Sequence, residues 1–249
     1  MKTLTFLEEE VTLSLNEIKK ITILSGHFGS GKTEIAINLV VAERRKHEKV
    51  AINDLDIVNP YFRSRDAAGI FQQHDIELLA PKNRLAAADL PIVSGEMYRV
   101  IHDHRYRLIV DAGGDKDGAM ALGQYYHEWK ELRPELLFVL NGNRPYVSTE
   151  DGALYTVEQI EKASRLKVSG IINNSNIGSE TTIHDIEKGY ELCSSLAEKL
   201  EIPFLYSTIS VHLKKEAEDF MSNHNVVFIE RFMKLPWERE NSHGEKSRI

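Results

Sequence analysis

The sequence has a single cysteine, no long hydrophobic run and no block of charges of one sign. Cys193 has no second cysteine with which to form an intrachain disulfide or a paired-cysteine metal site, and we interpret it as a buried helix residue. No apolar stretch approaches the roughly 20 residues that cross a bilayer, and residues 1–20 lack the charged-then-apolar pattern of a signal peptide. These absences predict a soluble, cytoplasmic protein.

Acidic and basic residues are interspersed along the chain, and the net charge is −7 at pH 7. A dedicated nucleic-acid surface would be positive, because the phosphate backbone is anionic. The net charge therefore disfavours a nucleic-acid partner, and the lack of a long apolar run predicts no membrane span. At 249 residues the chain suits one large α/β domain, which we place at residues 21–235, with an edge strand or hairpin extension at 1–20 and a flexible tail at 236–249.

Short runs rich in Ile, Val and Leu alternate with helical patterns along the chain. The runs are KKITILSG, EKVAINDLDI, RYRLIVDAGG, PELLFVLNGN, KVSGIINNSN and IPFLYSTIS. Such runs are typical of strands that are buried on both faces of a parallel sheet. Helical spacing of apolar residues predicts helices at 32–45, 91–104, 118–132, 150–165 and 181–200. This order predicts a doubly wound α/β fold, with a mostly parallel central sheet and helices on both faces.

A glycine-rich segment lies where the first predicted strand meets the first predicted helix. It matches the pattern G-x-x-x-x-G-K-[ST] and consists of Gly26, His27, Phe28, Gly29, Ser30, Gly31, Lys32 and Thr33. Glycines let the backbone curl so that successive N–H groups point at phosphate oxygens, and the helix amino terminus adds its positive dipole end. We therefore predict a nucleotide phosphate site in which Lys32 neutralises the β- and γ-phosphates and Thr33 ligates Mg²⁺.

Carboxylates follow two other predicted strands, at the sheet edge where ligands of such folds bind. Asp111 begins a D-x-x-G arrangement that ends at Gly114. This predicts that Asp111 supports Mg²⁺ and that the Gly114 N–H senses the γ-phosphate. Asp54 and Asp56 lie two residues apart, on the same side of a strand, where one of them would orient or deprotonate a water. A simpler interpretation stays open for all three aspartates, namely turns that close the strands.

These motifs, together with GIINNSN late in the sheet, resemble the MinD/ParA class of P-loop ATPases, which belongs to the SIMIBI class. The MinD/ParA class also includes the nitrogenase iron protein and the arsenite-pump ATPase. The resemblance spans roughly residues 20–210 by motif order. It implies that Asp56 lies in switch I near the attacking water, that Asp111 is the D-x-x-G aspartate and that Asn173 contacts adenine. One position departs from the class, because His27 stands where MinD and ParA carry a signature lysine that reaches across a dimer.

The resemblance implies ATP and Mg²⁺ as cofactors, ATP hydrolysis, and a switch that acts on a protein partner. Adenine is favoured because neither NGNRP nor NNSNIG contains Asn-Lys-x-Asp, whose carboxylate accepts from the guanine N1 and N2 protons. Asn174 is the alternative to Asn173 for the adenine contact. A homodimer stays an option that the missing signature lysine weakens.

Two other functions fit the same motifs. A small-molecule kinase or an ATP-dependent ligase would need a substrate pocket, for which Arg63, Arg65 and the NRPY segment at 143–146 are candidates. A DNA-bound partitioning protein would need a basic surface, which the net negative charge disfavours. Rapid turnover with a metabolite, DNA binding, or hydrolysis stimulated by a protein partner would distinguish the three.

Overall fold

A parallel sheet flanked by helices forms the fold in the residues that the computed structural model describes, which are 4–5, 18–55, 67–79, 95–113 and 116–233. The strands are β1 (Leu4–Thr5), β2 (Ile21–Ser25), β3 (Lys49–Asp54), β4 (Glu77–Leu79), β5 (Tyr106–Asp111), β6 (Glu135–Leu140), β7 (Gly170–Asn173), β8 (Phe204–Ser210) and β9 (Val226–Ile229). The helices are α1 (Lys32–Lys46), α2 (Ala68–Gln73), α3 (Gly95–His102), α4 (Lys116–Gly123), α5 (Tyr126–Leu132), α6 (Glu150–Ser164), α7 (Ile183–Leu200) and α8 (Glu218–Asn223). The predicted α/β class is confirmed.

The described strands lie in one sheet, in the order β1-β9-β8-β7-β6-β2-β5-β3-β4. Every neighbouring pair is parallel. The chain runs from β2 outward to β3 and β4 and returns to β5, and it then crosses β2 and proceeds outward from β6 on the other side. The direction of winding therefore reverses at β2. In open parallel sheets, ligands bind in the crevice at the carboxyl ends of the strands at such a point.

Apolar side chains cover both faces of the sheet. On one face, Ile35 of α1 and Phe71 of α2 pack against strand residues such as Ile52. On the other face, helices α3, α5, α6 and α7 contribute residues such as Met97 and Trp129. Because both faces are covered, the central strands carry continuous apolar runs instead of an alternating pattern, which is why the sequence predicts a parallel sheet.

The predicted helix at 118–132 is instead two helices, α4 and α5, which are separated by a turn. The last residue of α4, Gly123, packs closely on α6, because a Cβ atom there would lie 2.7 Å from the backbone oxygen of Ala163. The buried indole N–H of Trp129 donates to the Leu122 oxygen at 3.0 Å, which satisfies a carbonyl at the end of α4. Tertiary packing therefore divides a segment whose local pattern is continuous.

The sequence patterns do not predict the short elements β4, β9, α2 and α8. Each has six residues or fewer, which is too short for a helical or strand period to stand out. The edge of the sheet carries β1 beside β9, with Leu4 paired to Val227 and Thr5 to Phe228. The remainder of the predicted 1–20 extension, up to residue 17, and the predicted tail at 236–249 lie outside the described residues.

The first half of α1 is hydrogen-bonded to the segment that follows β9. The Asn38 side-chain amide donates to the Glu230 oxygen at 2.8 Å and accepts from the Glu230 N–H at 2.9 Å. The Glu34 carboxylate accepts from the N–H groups of Phe232 and Met233. Burial raises the pKa of Glu34, although these two N–H bonds act in the opposite direction. The contact therefore couples the protonation of Glu34 to folding.

Glu34→Gln should remove a pH-dependent part of the free energy of unfolding. Since the pKa of Glu34 is raised in the folded protein, the folded state binds the proton more tightly than the unfolded chain, whose pKa lies near 4.5. The wild-type protein should therefore lose stability relative to the variant as the pH rises from that value through the folded pKa. Urea unfolding over this pH range measures the difference, and Glu191→Gln on the exposed side of α7 is the control. A difference that does not change with pH would contradict the assignment.

Candidate nucleotide-binding site

Residues 26–33, which we name the phosphate loop for the role that the sequence predicts, join β2 to α1 at the carboxyl edge of the sheet. Gly31 has a left-handed backbone (φ 83°) and precedes the first residue of α1, and no side chain caps this helix. A helix has no internal acceptor for its first N–H groups. The loop therefore presents an uncapped helix amino terminus, where anions bind through N–H groups and the helix dipole.

Two glycines of the phosphate loop lie where no side chain fits. A Cβ atom on Gly26 would lie 2.2 Å from the Val139 backbone oxygen, and one on Gly31 would lie 2.2 Å from Asn174 Nδ2. Real Cβ atoms do not approach backbone or amide atoms so closely. The loop is therefore pressed directly against the carboxyl ends of β6 and β7, and its path depends on glycine at both positions.

The Lys32 side chain curls back across the phosphate loop. Its ammonium group donates to the Gly26 oxygen at 3.0 Å and to the His27 oxygen at 3.3 Å. Lys32 and the following Thr33 are both buried, at 5% and 7% exposure. A buried cation and a hydroxyl thus lie together at the start of α1, which is the pair that a phosphate and its magnesium ion require.

Two buried hydroxyls at the loop have no hydrogen-bond partner among the described residues. These are the Oγ atoms of Ser25, at the end of β2, and Ser30, within the phosphate loop. Leaving a buried polar group unsatisfied costs about 1–3 kcal/mol, and most such groups in folded proteins have a partner. The two hydroxyls fit a site that a polar ligand completes, so the residues present are compatible with a phosphate and a hydrated metal ion.

Asp54 and Asp111 are the last residues of neighbouring strands and are paired in register. Asp111 also pairs with Leu24 of β2, one residue before the end of that strand. Both aspartates are fully buried, and their positions place them on the face of the sheet that α1 covers, because they are two residues beyond Ile52 and Ile109. Adjacent carboxylates are stabilised by a shared cation, and Mg²⁺ prefers such oxygen ligands.

Asn173 and Asn174 point to different partners. The Asn173 amide donates to the Ile186 oxygen and to Ser207 Oγ, both at 3.0 Å, and its side-chain oxygen accepts from the Ser175 N–H. The Asn174 amide instead donates to the Ser30 oxygen at 2.7 Å. An adenine contact by Asn173 would require its amide to exchange partners, so this role stays a prediction. Asn174 holds the phosphate loop.

The segment 141–146, between β6 and α6, covers one side of the phosphate loop. Asn141 Nδ2 donates to the Asn176 oxygen at 2.9 Å and lies 3.4 Å from the Gly29 oxygen. Arg144 Nε donates to the same Gly29 oxygen at 2.9 Å. The Tyr146 ring stacks on the His27 ring, with centroids 5.2 Å apart. The sequence carried one indication of these contacts, a run of polar residues directly after a predicted strand.

Several predicted site residues lie outside the described residues. They are Asp56, Gly114, Arg63 and Arg65. Their predicted roles, in water activation, γ-phosphate sensing and substrate binding, therefore stay predictions. Phe28, within the phosphate loop, is described and is 56% exposed. It contributes its backbone to the loop and leaves its ring on the surface.

Comparison with solved structures finds relatives of this fold, whereas no family model and no curated protein matches the chain. FtsY from Mycoplasma mycoides has a TM-score of 0.50 and 19% identity, covering 80% of this chain and 62% of that one. The cell division protein FtsY from Thermotoga maritima has a TM-score of 0.52 and 17% identity, covering 82% and 66%. Chloroplast FtsY from Physcomitrella patens has a TM-score of 0.53 and 18% identity, covering 81% and 63%. The α/β fold of this chain is therefore similar to the fold of these three FtsY structures.

The likeness to FtsY concerns the fold alone, because the identities are low and the chain spans less than two thirds of each FtsY chain. It confirms the α/β fold with a parallel sheet and flanking helices that the alternating strand and helix patterns predict. The finer resemblance to MinD and ParA stays a prediction. Among the helices in the described ranges, none has the length and apolar character needed to cross a membrane.

Proposed function

We propose that this protein binds ATP and Mg²⁺ at the phosphate loop, hydrolyses the ATP, and acts as a nucleotide-dependent switch on a protein partner. The observation that carries the proposal is the loop itself. An uncapped helix amino terminus, the buried Lys32 ammonium and the Ser30 hydroxyl, which has no partner in the described part of the chain, all lie within one turn of backbone. Together they supply the positive charge and the donors that a phosphate chain needs.

In this proposal Lys32 exchanges its carbonyl partners for phosphate oxygens, while Thr33 and Asp111 hold the magnesium ion. The bound Mg²⁺ would neutralise charge that develops on the β- and γ-phosphates. Asp54 lies beside Asp111 in register, so its carboxylate orients groups around the metal. Asp56 would orient the attacking water, as the resemblance implies, and the Gly114 N–H would contact the γ-phosphate.

The switch part of the proposal rests on the segments that follow β3 and β5, the two strands that end at Asp54 and Asp111. The chain leaves Asp54 for Asp56 and leaves Asp111 for Gly114, so the predicted switch residues follow the buried aspartates within three positions. A segment that a γ-phosphate and its metal hold in place is released on hydrolysis, and a partner protein can detect that change. A pull-down with and without ATP would identify the partner, whose addition should then stimulate hydrolysis.

ATP should bind at least about tenfold more tightly than GTP, the equivalent of roughly one hydrogen bond to the base. The reason is that no Asn-Lys-x-Asp carboxylate for guanine occurs in the segments after β6 and β7. Calorimetric titrations with each nucleotide in the presence of Mg²⁺ measure the two affinities, and inorganic triphosphate controls for binding through phosphates alone. Equal affinity for ATP and GTP would overturn the adenine assignment and leave the phosphate site intact.

A small-molecule kinase or ligase is the second candidate. The observation that favours it is that Arg144 and Tyr146, from the NRPY segment, lie against the phosphate loop, where an acceptor substrate would meet the nucleotide. This function predicts that ATP consumption responds to the small-molecule fraction of a cell lysate. The switch predicts a response to the protein fraction, so assaying ADP release with each fraction separates the two.

A further inference from the structure

We propose that Arg144 binds the terminal phosphate of the nucleotide from within the same chain, as a second cation at the phosphate loop. The inference rests on the proposed function, because it concerns the same site. Its starting observation is the contact between the guanidinium group and the loop. Arg144 Nε donates to the Gly29 oxygen at 2.9 Å, although the two residues lie 115 positions apart.

The guanidinium group occupies the space next to Gly29 that a side chain would need. A Cβ atom on Gly29 would lie 2.8 Å from Nε, 2.9 Å from Cζ and 3.2 Å from Nη2 of Arg144. The left-handed backbone of Gly29 (φ 74°) is a second reason why this position needs glycine. Three atoms of the guanidinium group therefore lie where a side chain on residue 29 would be.

The backbone that carries Arg144 is itself fixed. The Arg144 N–H donates to the Asn141 oxygen, and the Val147 N–H donates to the Arg144 oxygen, both at 3.0 Å. Asn141 and Val147 are fully buried, so the segment is anchored to the core at both ends. An arginine on such an anchored turn loses little additional freedom when it binds a ligand, which favours affinity.

Most donors of the Arg144 guanidinium group have no hydrogen-bond acceptor among the described residues. Arginine carries five N–H donors in a planar fork, and Nε uses its single donor on Gly29. Among the described residues, that carbonyl is the acceptor found for Arg144, and no carboxylate forms an ion pair with it. The Nη1 and Nη2 groups of this exposed side chain therefore keep four donors for a ligand. Their planar fork suits two oxygens of one phosphate.

The two cations of the site occupy different parts of the phosphate loop. The buried Lys32 contacts the oxygens of Gly26 and His27, whereas the exposed Arg144 contacts Gly29 at the solvent-facing rim of the loop. Lys32 and the helix amino terminus serve the phosphates that a diphosphate and a triphosphate share. The Arg144 guanidinium group then binds the additional phosphate of a triphosphate. Phosphoryl-transfer proteins commonly use an arginine at this phosphate.

Titration of the full chain with Mg²⁺ and either ADP or a non-hydrolysable ATP analogue tests this role. Arg144→Gln should raise the Kd for the triphosphate by about 10- to 100-fold, the contribution of hydrogen bonds to a charged group. The Kd for ADP should change by less than about threefold, since the shared phosphates keep their partners. Arg144→Lys keeps the charge without the planar fork, so its triphosphate Kd should lie between those of the wild type and Arg144→Gln.

Arg133→Gln is the matched control. Arg133 lies just before β6, at the edge of the sheet opposite to the phosphate loop, whereas Arg144 lies just after β6. Arg133→Gln should change neither Kd. Equal weakening of ADP and the triphosphate analogue by Arg144→Gln would mean that Arg144 only braces Gly29, and it would overturn the inference, as would no weakening at all. A wild-type protein that binds neither nucleotide would instead overturn the proposed function as well.

Discussion

Lys32→Ala should lower the affinity for Mg²⁺ and ATP by about 100-fold or more, the contribution expected of two hydrogen bonds from a charged donor. The ammonium group is buried within the phosphate loop and already donates to two carbonyl oxygens there. Phosphate oxygens are stronger acceptors than carbonyls because they carry charge. Calorimetry or displacement of a fluorescent ATP analogue measures the loss.

Two further variants separate charge from shape. Lys32→Met keeps most of the side-chain volume without the charge, so it should lose as much affinity as Lys32→Ala. Lys162→Ala removes a lysine from the exposed side of α6 and should leave the affinity unchanged. Urea unfolding without nucleotide shows whether each variant is folded. A folded Lys32→Ala protein that binds ATP as tightly as the wild type would show that the phosphate loop is not the nucleotide site.

The phosphate loop could be predicted from sequence because its geometry is set locally. Gly26, Gly29 and Gly31 supply backbone conformations or close approaches that other residues do not allow, and the buried run of β2 precedes them directly. The position of the aspartates at the ends of β3 and β5 could also be predicted, since the carboxyl ends of the strands in a parallel sheet share an edge. In both cases a short stretch of sequence contains all the information.

The partners of the loop could not be predicted in this way. The contacts of Arg144 with Gly29 and of Asn174 with Ser30 join residues 115 and 144 positions apart. They exist because β6 lies directly beside β2 and β7 beside β6, an order that no local pattern specifies. A polar residue after a strand indicates the correct edge of the sheet but not its neighbour on that edge.

The two asparagines after β7 illustrate a second limit. Successive residues of an extended chain point to opposite sides, so Asn173 and Asn174 cannot both face the nucleotide. The choice depends on which side α7 occupies. In the structure Asn173 bonds to the Ile186 oxygen on α7 and Asn174 bonds to the phosphate loop, an arrangement that becomes visible only with the helix in place.

Asp56→Asn and Asp111→Asn should have different effects on hydrolysis and on ATP affinity, because Asp56 is expected to act on water and Asp111 on the metal. Asparagine preserves the shape of aspartate and removes its charge. If the Asp56 carboxylate is the general base, Asp56→Asn should reduce hydrolysis by roughly 100-fold or more and leave ATP affinity within about twofold, since binding needs no base. Asp111→Asn should weaken Mg²⁺-dependent ATP binding together with hydrolysis.

Single-turnover hydrolysis and ATP titrations at several Mg²⁺ concentrations distinguish these outcomes, with Asp219→Asn on the exposed surface of α8 as the control. Higher Mg²⁺ should restore part of the affinity of Asp111→Asn, because weaker metal binding is overcome by mass action. It should not restore hydrolysis in Asp56→Asn, where the missing group is a base. If Asp56→Asn hydrolyses ATP at the wild-type rate, the role of Asp56 in water activation is wrong, and Asp54, buried beside Asp111, becomes the carboxylate to substitute next.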